Sequence, residues 1–158
     1  GARDLGLDIN ETNAGELARL GALITDAANA QLGFSHPTNE WDHISFCQFV
    51  GPLATTDTGF SGANAVAIKP GKLDRSPCGT GTSARMAQWA AKGKLQKGDS
   101  FVHESIIGSQ FIGRVEDVTK VGEMDAIIPS IEGWAKVTGF NTIIIDDDDP
   151  YAHGFQVM

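Results

Sequence analysis

The sequence predicts an α+β domain in which helices pack on a meandering, mostly antiparallel sheet. Three observations carry this reading. An apolar stripe at spacings of three and four runs from Leu17 to Leu32, which is the signature of an amphipathic helix. A series of runs rich in β-formers, separated by glycine-containing turns, occupies much of the rest and suggests strands joined in sequence. Between them, a glycine-rich stretch leads into small helix-forming residues.

Residues 1–12 read as a polar lead-in. Asn13-Ala-Gly-Glu16 has the form of a capping box and opens the first helix, whose stripe is Leu17, Leu20, Ile24, Ala27, Ala28 and Leu32, ending near Gly33. His36-Pro37 marks a turn, because proline fixes its own φ and biases the preceding residue away from the helical region. His36 and His43 flank that turn as surface histidines. Residues 44–50 then read as a strand holding Cys47 as a structural thiol, closed by Gly51-Pro52. By composition residues 53–63 are a loop, and 64–68 a short strand. A second helix is expected from about Ser83 to Lys92, stopped by Gly93. Strands follow over 100–107, 111–117, 124–130, 134–138 and 142–146. Four consecutive acids, Asp146 to Asp149, read as a solvated turn rather than a metal site, and no metal is expected.

With 158 residues, 41% of them hydrophobic, the chain is long enough to bury its own core. A net charge of −8 argues against a nucleic-acid or anionic-membrane partner. Cys47 and Cys78 are too few for a disulfide scaffold and fit a reducing, cytoplasmic setting. No apolar run approaches the ~20 residues of a membrane span. Gly1 is not an initiator methionine, so a cut or processed chain is expected.

The chemistry concentrates at Cys78. It is followed by Gly79, Thr80, Gly81, Thr82 and Ser83, small residues whose backbone N–H groups can close around an anion. A thiol just before a helix N-terminus meets unpaired N–H groups and the macrodipole, both of which favour a thiolate. Phosphate-binding loops share the order strand, turn, glycine-rich loop, helix. A Walker loop, however, needs a lysine that is not in place, and Gly79-Thr-Gly-Thr-Ser-Ala84 approaches the dinucleotide fingerprint only with alanine as its last glycine. A nucleotide loop also leaves unexplained the cysteine directly ahead of the glycines and the aspartate four residues earlier. Papain-like acyl transfer lacks a partner histidine in a suitable context, and Cys-x-x-Cys redox chemistry is absent. Proton transfer at carbon remains: the N–H groups hold a carboxylate while the thiol faces the Cα–H.

Asp74-Arg-Ser-Pro-Cys-Gly-Thr-Gly-Thr-Ser-Ala84 resembles the C-terminal active-site motif of the proline racemase family. The likeness extends through His103-Glu-Ser-Ile-Ile-Gly-Ser109, Phe111-Ile-Gly-Arg114, Ile127-Ile-Pro129 and Thr138-Gly-Phe-Asn141 to Asp149-Pro150 and Gly154-Phe155. It implies a diaminopimelate-epimerase-like domain, a curved, mostly antiparallel sheet wrapped around a central helix of about residues 83–92. It also implies that residues 1–158 form one domain equivalent to the C-terminal half of a two-domain racemase, with a tail over about 148–158 packing on the N-terminal half. By the same resemblance Cys78 is the second of two acid/bases, Gly79 and Thr80 hold the substrate carboxylate, Asp74 contacts its nitrogen, and no cofactor is used.

Departures from the family pattern qualify the transfer. The first catalytic cysteine, on a Met-Cys-Gly-His-like motif, is not in this sequence, and Cys47 does not replace it. Phe46 stands where many hydroxyproline epimerases carry histidine, which favours unsubstituted proline, and Ile68 stands where racemases often carry an aromatic. Cysteine rather than threonine at position 78 argues against the family's dehydratases. The expectation is therefore a racemase or epimerase of proline or a proline derivative, with 4-hydroxyproline 2-epimerase and a non-catalytic half-enzyme as the alternatives. Expected partners are the amino-acid substrate, proline or hydroxyproline, the N-terminal domain, and a second copy through the open cleft face.

Overall fold

The computed structural model describes residues 1–57 and 59–156; Thr58, inside the 53–63 segment, and Val157 and Met158, at the end of the tail, lie outside the described residues. Two 3-10 turns, Ala2–Leu5 and Glu11–Asn13, lead into helix α1, Ala14–Gln31. The chain continues through β1 (Phe46–Val50), β2 (Ala54–Thr56), β3 (Gly59–Ile68), β4 (Lys72–Leu73), helix α2 (Gly79–Ala91), β5 (Ser100–Glu104), β6 (Gln110–Val121) and β7 (Met124–Glu132). Among the described residues these strands make one seven-stranded sheet in the order β1-β3-β5-β6-β7, with β2 and β4 also paired to β3.

All the strand pairs are antiparallel except β3 with β5. A parallel pair needs a crossover rather than a hairpin, and α2 lies in that crossover. Strand alternation then sorts the two faces. Cys47, Phe49, Ala65 and Ala67 turn toward α1 and pack with Leu17 and Ala2. Gln48 and Val66 turn the other way, beneath the first turn of α2. Further along, the sheet encloses α2: Met86 and Leu95 pack with Phe101 of β5 and Val115 of β6, flanked by Ile127 and Ile131 of β7. Each large apolar side chain so buried stabilises the domain by roughly 1.5–3 kcal/mol. The helix comes so near β6 that a Cβ at Gly113 would lie 2.3 Å from Met86 Sδ. This is the α+β, diaminopimelate-epimerase-like architecture, a mostly antiparallel sheet around one central helix.

Several local expectations change. Helix α2 begins at Gly79 rather than near Ser83, because Cys78 itself is the N-cap and its carbonyl already takes the Thr82 N–H. Asn13 is the N-cap of α1 but makes no side-chain cap; the capping side chain is that of Asn10, which accepts the Asn13 N–H and caps the 3-10 turn ahead of the helix. The buried stripe of α1 is Leu17, Ala18, Gly21 and Thr25, while Ile24 and Leu32 are exposed, so small residues rather than large ones let α1 lie on the sheet. Residues 53–63, expected as a loop, supply β2 and the first half of β3. Residues 134–138 and 142–146 form no strand: β propensity needs a neighbouring strand to pack and pair with, and nothing among the described residues pairs with them. The acidic run is a turn, with Asp146 accepting the Asp148 and Asp149 N–H groups.

Candidate active site

Of the four residues singled out by sequence, Asp74 and Cys78 lie on the connection from β4 into α2, and Gly79 and Thr80 are the first two residues of α2. The Asp74 N–H donates to the Val66 carbonyl at 3.0 Å, which pins the loop to β3. Asp74 Oδ1 accepts the Ser76 N–H at 2.9 Å and the Ser76 hydroxyl at 3.0 Å. Ser76 Oγ in turn accepts the Cys78 N–H at 3.1 Å. Aspartate and thiol are thus linked through one serine.

Cys78 is the one non-glycine residue with positive φ among the described residues, at φ 65° and ψ 118°. Such a conformation costs on the order of 1–3 kcal/mol and persists only when its surroundings hold it. Both flanking peptides are held. Ser76 secures the N–H side, and on the other side the Cys78 carbonyl accepts the Thr82 N–H at 2.8 Å and the Thr82 hydroxyl at 2.7 Å. The thiol accepts the Gly81 N–H at 3.3 Å and lies 3.3 Å from Thr80 Oγ1. Gly81 allows this close fit, since a Cβ there would meet Gln48 Nε2 at 2.8 Å. The N–H groups of Gly79 and Thr80 donate to no protein acceptor among the described residues. Two free donors at a helix N-terminus can receive an anion.

Elements beyond the loop hold it in place. Ser109 Oγ donates to the Arg75 carbonyl at 3.1 Å and is itself 2.7 Å from Ser105 Oγ, so the turn between β5 and β6 braces the segment ahead of Cys78. On β5, His103 is 1% exposed, and its Nδ1 lies 2.9 Å from Thr82 Oγ1. Burial, and then the nearby Arg85 guanidinium, push its pKa down to about 4, so the imidazole is neutral near pH 7. Sequence reasoning marked the His103-to-Ser109 block as similar to a family motif without giving these side chains a role. Ser76 lies within the quoted motif and Thr82 within the run of small residues, but neither side chain is given a role by the sequence, and Gln48 is not singled out; the Thr82 and Gln48 contacts join α2 to β5 and β1, which spacing alone does not reveal.

Cys47 stands apart. It packs against the α1 cluster, burial raises its thiol pKa, and both cysteines are free thiols. Among the described residues no group of three His, Cys, Asp or Glu side chains gathers as a metal site would need, and no helix is long and apolar enough to cross a membrane.

The sequence matches the family model described as Proline racemase over residues 1–156. The chain belongs to the proline racemase family. It is 50% identical over 147 residues to a 4-hydroxyproline 2-epimerase of Shewanella loihica, and 53% identical over 152 residues to one of Ancylobacter novellus. These alignments take in 92% and 96% of this chain but 44% and 45% of the relatives, so it spans less than half of their length. Among solved structures it is similar to a hydroxyproline epimerase from Agrobacterium vitis with bound trans-4-hydroxy-L-proline, at a TM-score of 0.80 and 34% identity, over 99% of this chain and 44% of that one. A probable proline racemase from Agrobacterium radiobacter with bound carbonate gives a TM-score of 0.80 and 33% identity, over 99% and 45%. These relatives are thus similar to the chain in both sequence and fold.

Proposed function

We propose that this chain is the C-terminal half of a cofactor-independent epimerase that inverts the α-carbon of 4-hydroxyproline, with Cys78 as one of two acid/bases. The observation that carries the reading is the pair of free N–H groups, Gly79 and Thr80, beside the Cys78 thiol at the start of α2. These donors would hold the substrate carboxylate, and Asp74 on the same loop would pair with the ring ammonium. Held at both ends, the substrate presents its Cα–H to Sγ. A thiolate removes that proton from one face while a thiol on the other face returns one, and the N–H groups stabilise the carbanion through its carboxylate.

The opposing thiol would come from an N-terminal half. Such a half would also cover the apolar side chains beyond β7, where Trp134 is 70%, Phe140 97% and Ile144 85% exposed, and would receive the tail from about residue 148. Exposed patches of this kind seek a partner. In the isolated chain they would pair two copies into a homodimer that lacks the second base and does not turn over substrate.

Two observations bear on the substrate. Both curated relatives above are named 4-hydroxyproline 2-epimerases, at 50% and 53% identity. Against this, Phe46 and Ile68 are register partners across β1 and β3 and make an apolar pair, which suits unsubstituted proline. We weigh identity along nearly the whole chain above one pair, so proline is the second reading. The test is parallel kinetics of the full-length protein on trans-4-hydroxy-L-proline and L-proline, with Cys78→Ser alongside. Epimerisation of hydroxyproline that Cys78→Ser abolishes is the expected result. Near-normal turnover by Cys78→Ser would sink the assignment, and solvent deuterium entering Cα with this chain alone would overturn the need for a second half.

A further inference from the structure

We infer that His103 is a positioning residue for Cys78, acting through the Thr82 hydroxyl to hold the carbonyl of the cysteine. The inference deepens the reading of Cys78 as an acid/base and rests on it. Thr82 Oγ1 carries one hydrogen and lies 2.7 Å from the Cys78 carbonyl, 3.4 Å from the Pro77 carbonyl and 2.9 Å from His103 Nδ1. The carbonyls can only accept. If Thr82 gives its proton to Cys78, the shortest of these contacts, then Nδ1 has to carry a hydrogen and donate to Thr82. Both side chains are fully buried, so water does not offer another partner.

A neutral imidazole has one ring proton, and this arrangement places it on Nδ1, leaving Nε2 bare. The lowered pKa of His103 keeps that single-proton state through the physiological range. The product is a two-bond chain, Nδ1–H to Oγ1 and Oγ1–H to the Cys78 carbonyl, running from the centre of the sheet into the strained residue. It matters because φ 65° at Cys78 would relax through whichever flanking peptide is freed. Without a donor at position 103, the Thr82 hydroxyl loses its fixed direction, the Cys78 peptide turns, and Sγ shifts relative to the Gly79 and Thr80 N–H groups.

The experiment compares His103→Leu, which fills the space without a donor, with His103→Asn, whose amide N–H lies near the Nδ1 position, in the full-length protein. His103→Leu should lower kcat on the order of 10- to 100-fold, as small misplacements do, with a smaller change in KM, and should alter the iodoacetamide alkylation rate of Cys78. His103→Asn should recover most of both. Nitrogen NMR of the unmodified protein should find the His103 proton on Nδ1. A folded His103→Leu with unchanged kcat and unchanged Cys78 alkylation overturns the inference, and so does a proton on Nε2. If His103→Leu does not fold, the tautomer and the Asn variant decide it. A wild-type protein with no epimerase activity defeats the functional reading instead, while the tautomer and the alkylation rate still report on the chain from His103 to Cys78.

Discussion

Asp74 and Ser76 are joined twice, the serine N–H and hydroxyl both donating to Asp74 Oδ1 at 2.9 and 3.0 Å. The same hydroxyl accepts the Cys78 N–H, so one serine fixes both the carboxylate and the peptide ahead of the thiol. Ser76→Ala removes two of these three bonds. The loop is half-buried, and water replaces part of the loss, so stability should fall by about 1 kcal/mol. Activity should fall more, roughly 10-fold or beyond in kcat, because Asp74 and Cys78, the groups proposed to bind the nitrogen and transfer the proton, lose their common anchor. Ser76→Thr keeps the hydroxyl and should stay near wild type. Denaturant melts and steady-state kinetics on the full-length protein check both values; equal loss in the Thr and Ala variants would count against the anchor.

Helix α1 contains two glycines with opposite expectations. A Cβ at Gly21 would fall 2.1 Å from Ala67 Cβ, an atom fixed to the strand backbone, and 3.2 Å from Phe49 Cε2. Gly21→Ala therefore overpacks the interface of helix and sheet and should cost roughly 1–3 kcal/mol or more. Nothing lies within 4 Å of a Cβ at Gly15. Gly15→Ala should instead stabilise by about 0.5–1 kcal/mol, through helix propensity and a less flexible unfolded chain. Urea midpoints of the two variants should move in opposite directions.

The two glycines also show why the sequence is only partly readable. The helical period over residues 14–31 is legible, as are the thiol at a helix start and the strands between residues 100 and 132, because these depend on local spacing. The buried face of α1 was not, since it is chosen by Ala65 and Ala67 on the sheet, which admit small residues and leave Ile24 exposed. Propensity alone puts the start of α2 near Ser83, because glycines at 79 and 81 are poor helix formers. In the fold, Gly81 is required there by Gln48 and Val66. The apolar runs after residue 133 looked like strands because propensity does not register that no strand stands beside them. His103 was visible as part of a motif, but its contact with Thr82 spans from β5 to α2 and has no local signature.

Burial of His103 gives stability a pH dependence with a definite sign. Its pKa falls from an ordinary 6.5 in the unfolded chain to about 4 in the fold. Between those values the unfolded state binds a proton that the native state does not, so acid favours unfolding. The contribution is fully present above about pH 6.5 and is lost as pH falls toward about 4, amounting to roughly 3 kcal/mol across that window. Lowered carboxylate pKa values, such as that of Asp117 beside Lys97, add their own acid lability below this range. The difference between wild type and His103→Asn isolates the histidine: the variant's stability should be flatter between pH 6.5 and 4. Parallel curves for the two proteins would mean that His103 takes up its proton as readily in the fold as in the unfolded chain.

Phe46 tests the choice of substrate. It shares a face of β1 with Gln48, two residues on, and Gln48 lies beneath Gly81, next to the thiol. Its register partner is Ile68, so under the proposed function this side of the cleft would offer a substrate hydroxyl no donor or acceptor from either residue. An apolar wall rejects a hydroxyl only weakly, whereas a wall built to bond a hydroxyl discriminates strongly against a ligand without one. Phe46→His places an imidazole on that wall. The variant should raise kcat/KM for trans-4-hydroxy-L-proline relative to L-proline by about 10-fold or more, chiefly by losing activity on proline. Progress curves followed by optical rotation on the two substrates give the ratio directly. An unchanged ratio would show that the hydroxyl is read from the opposite wall of the cleft, which the N-terminal half would supply.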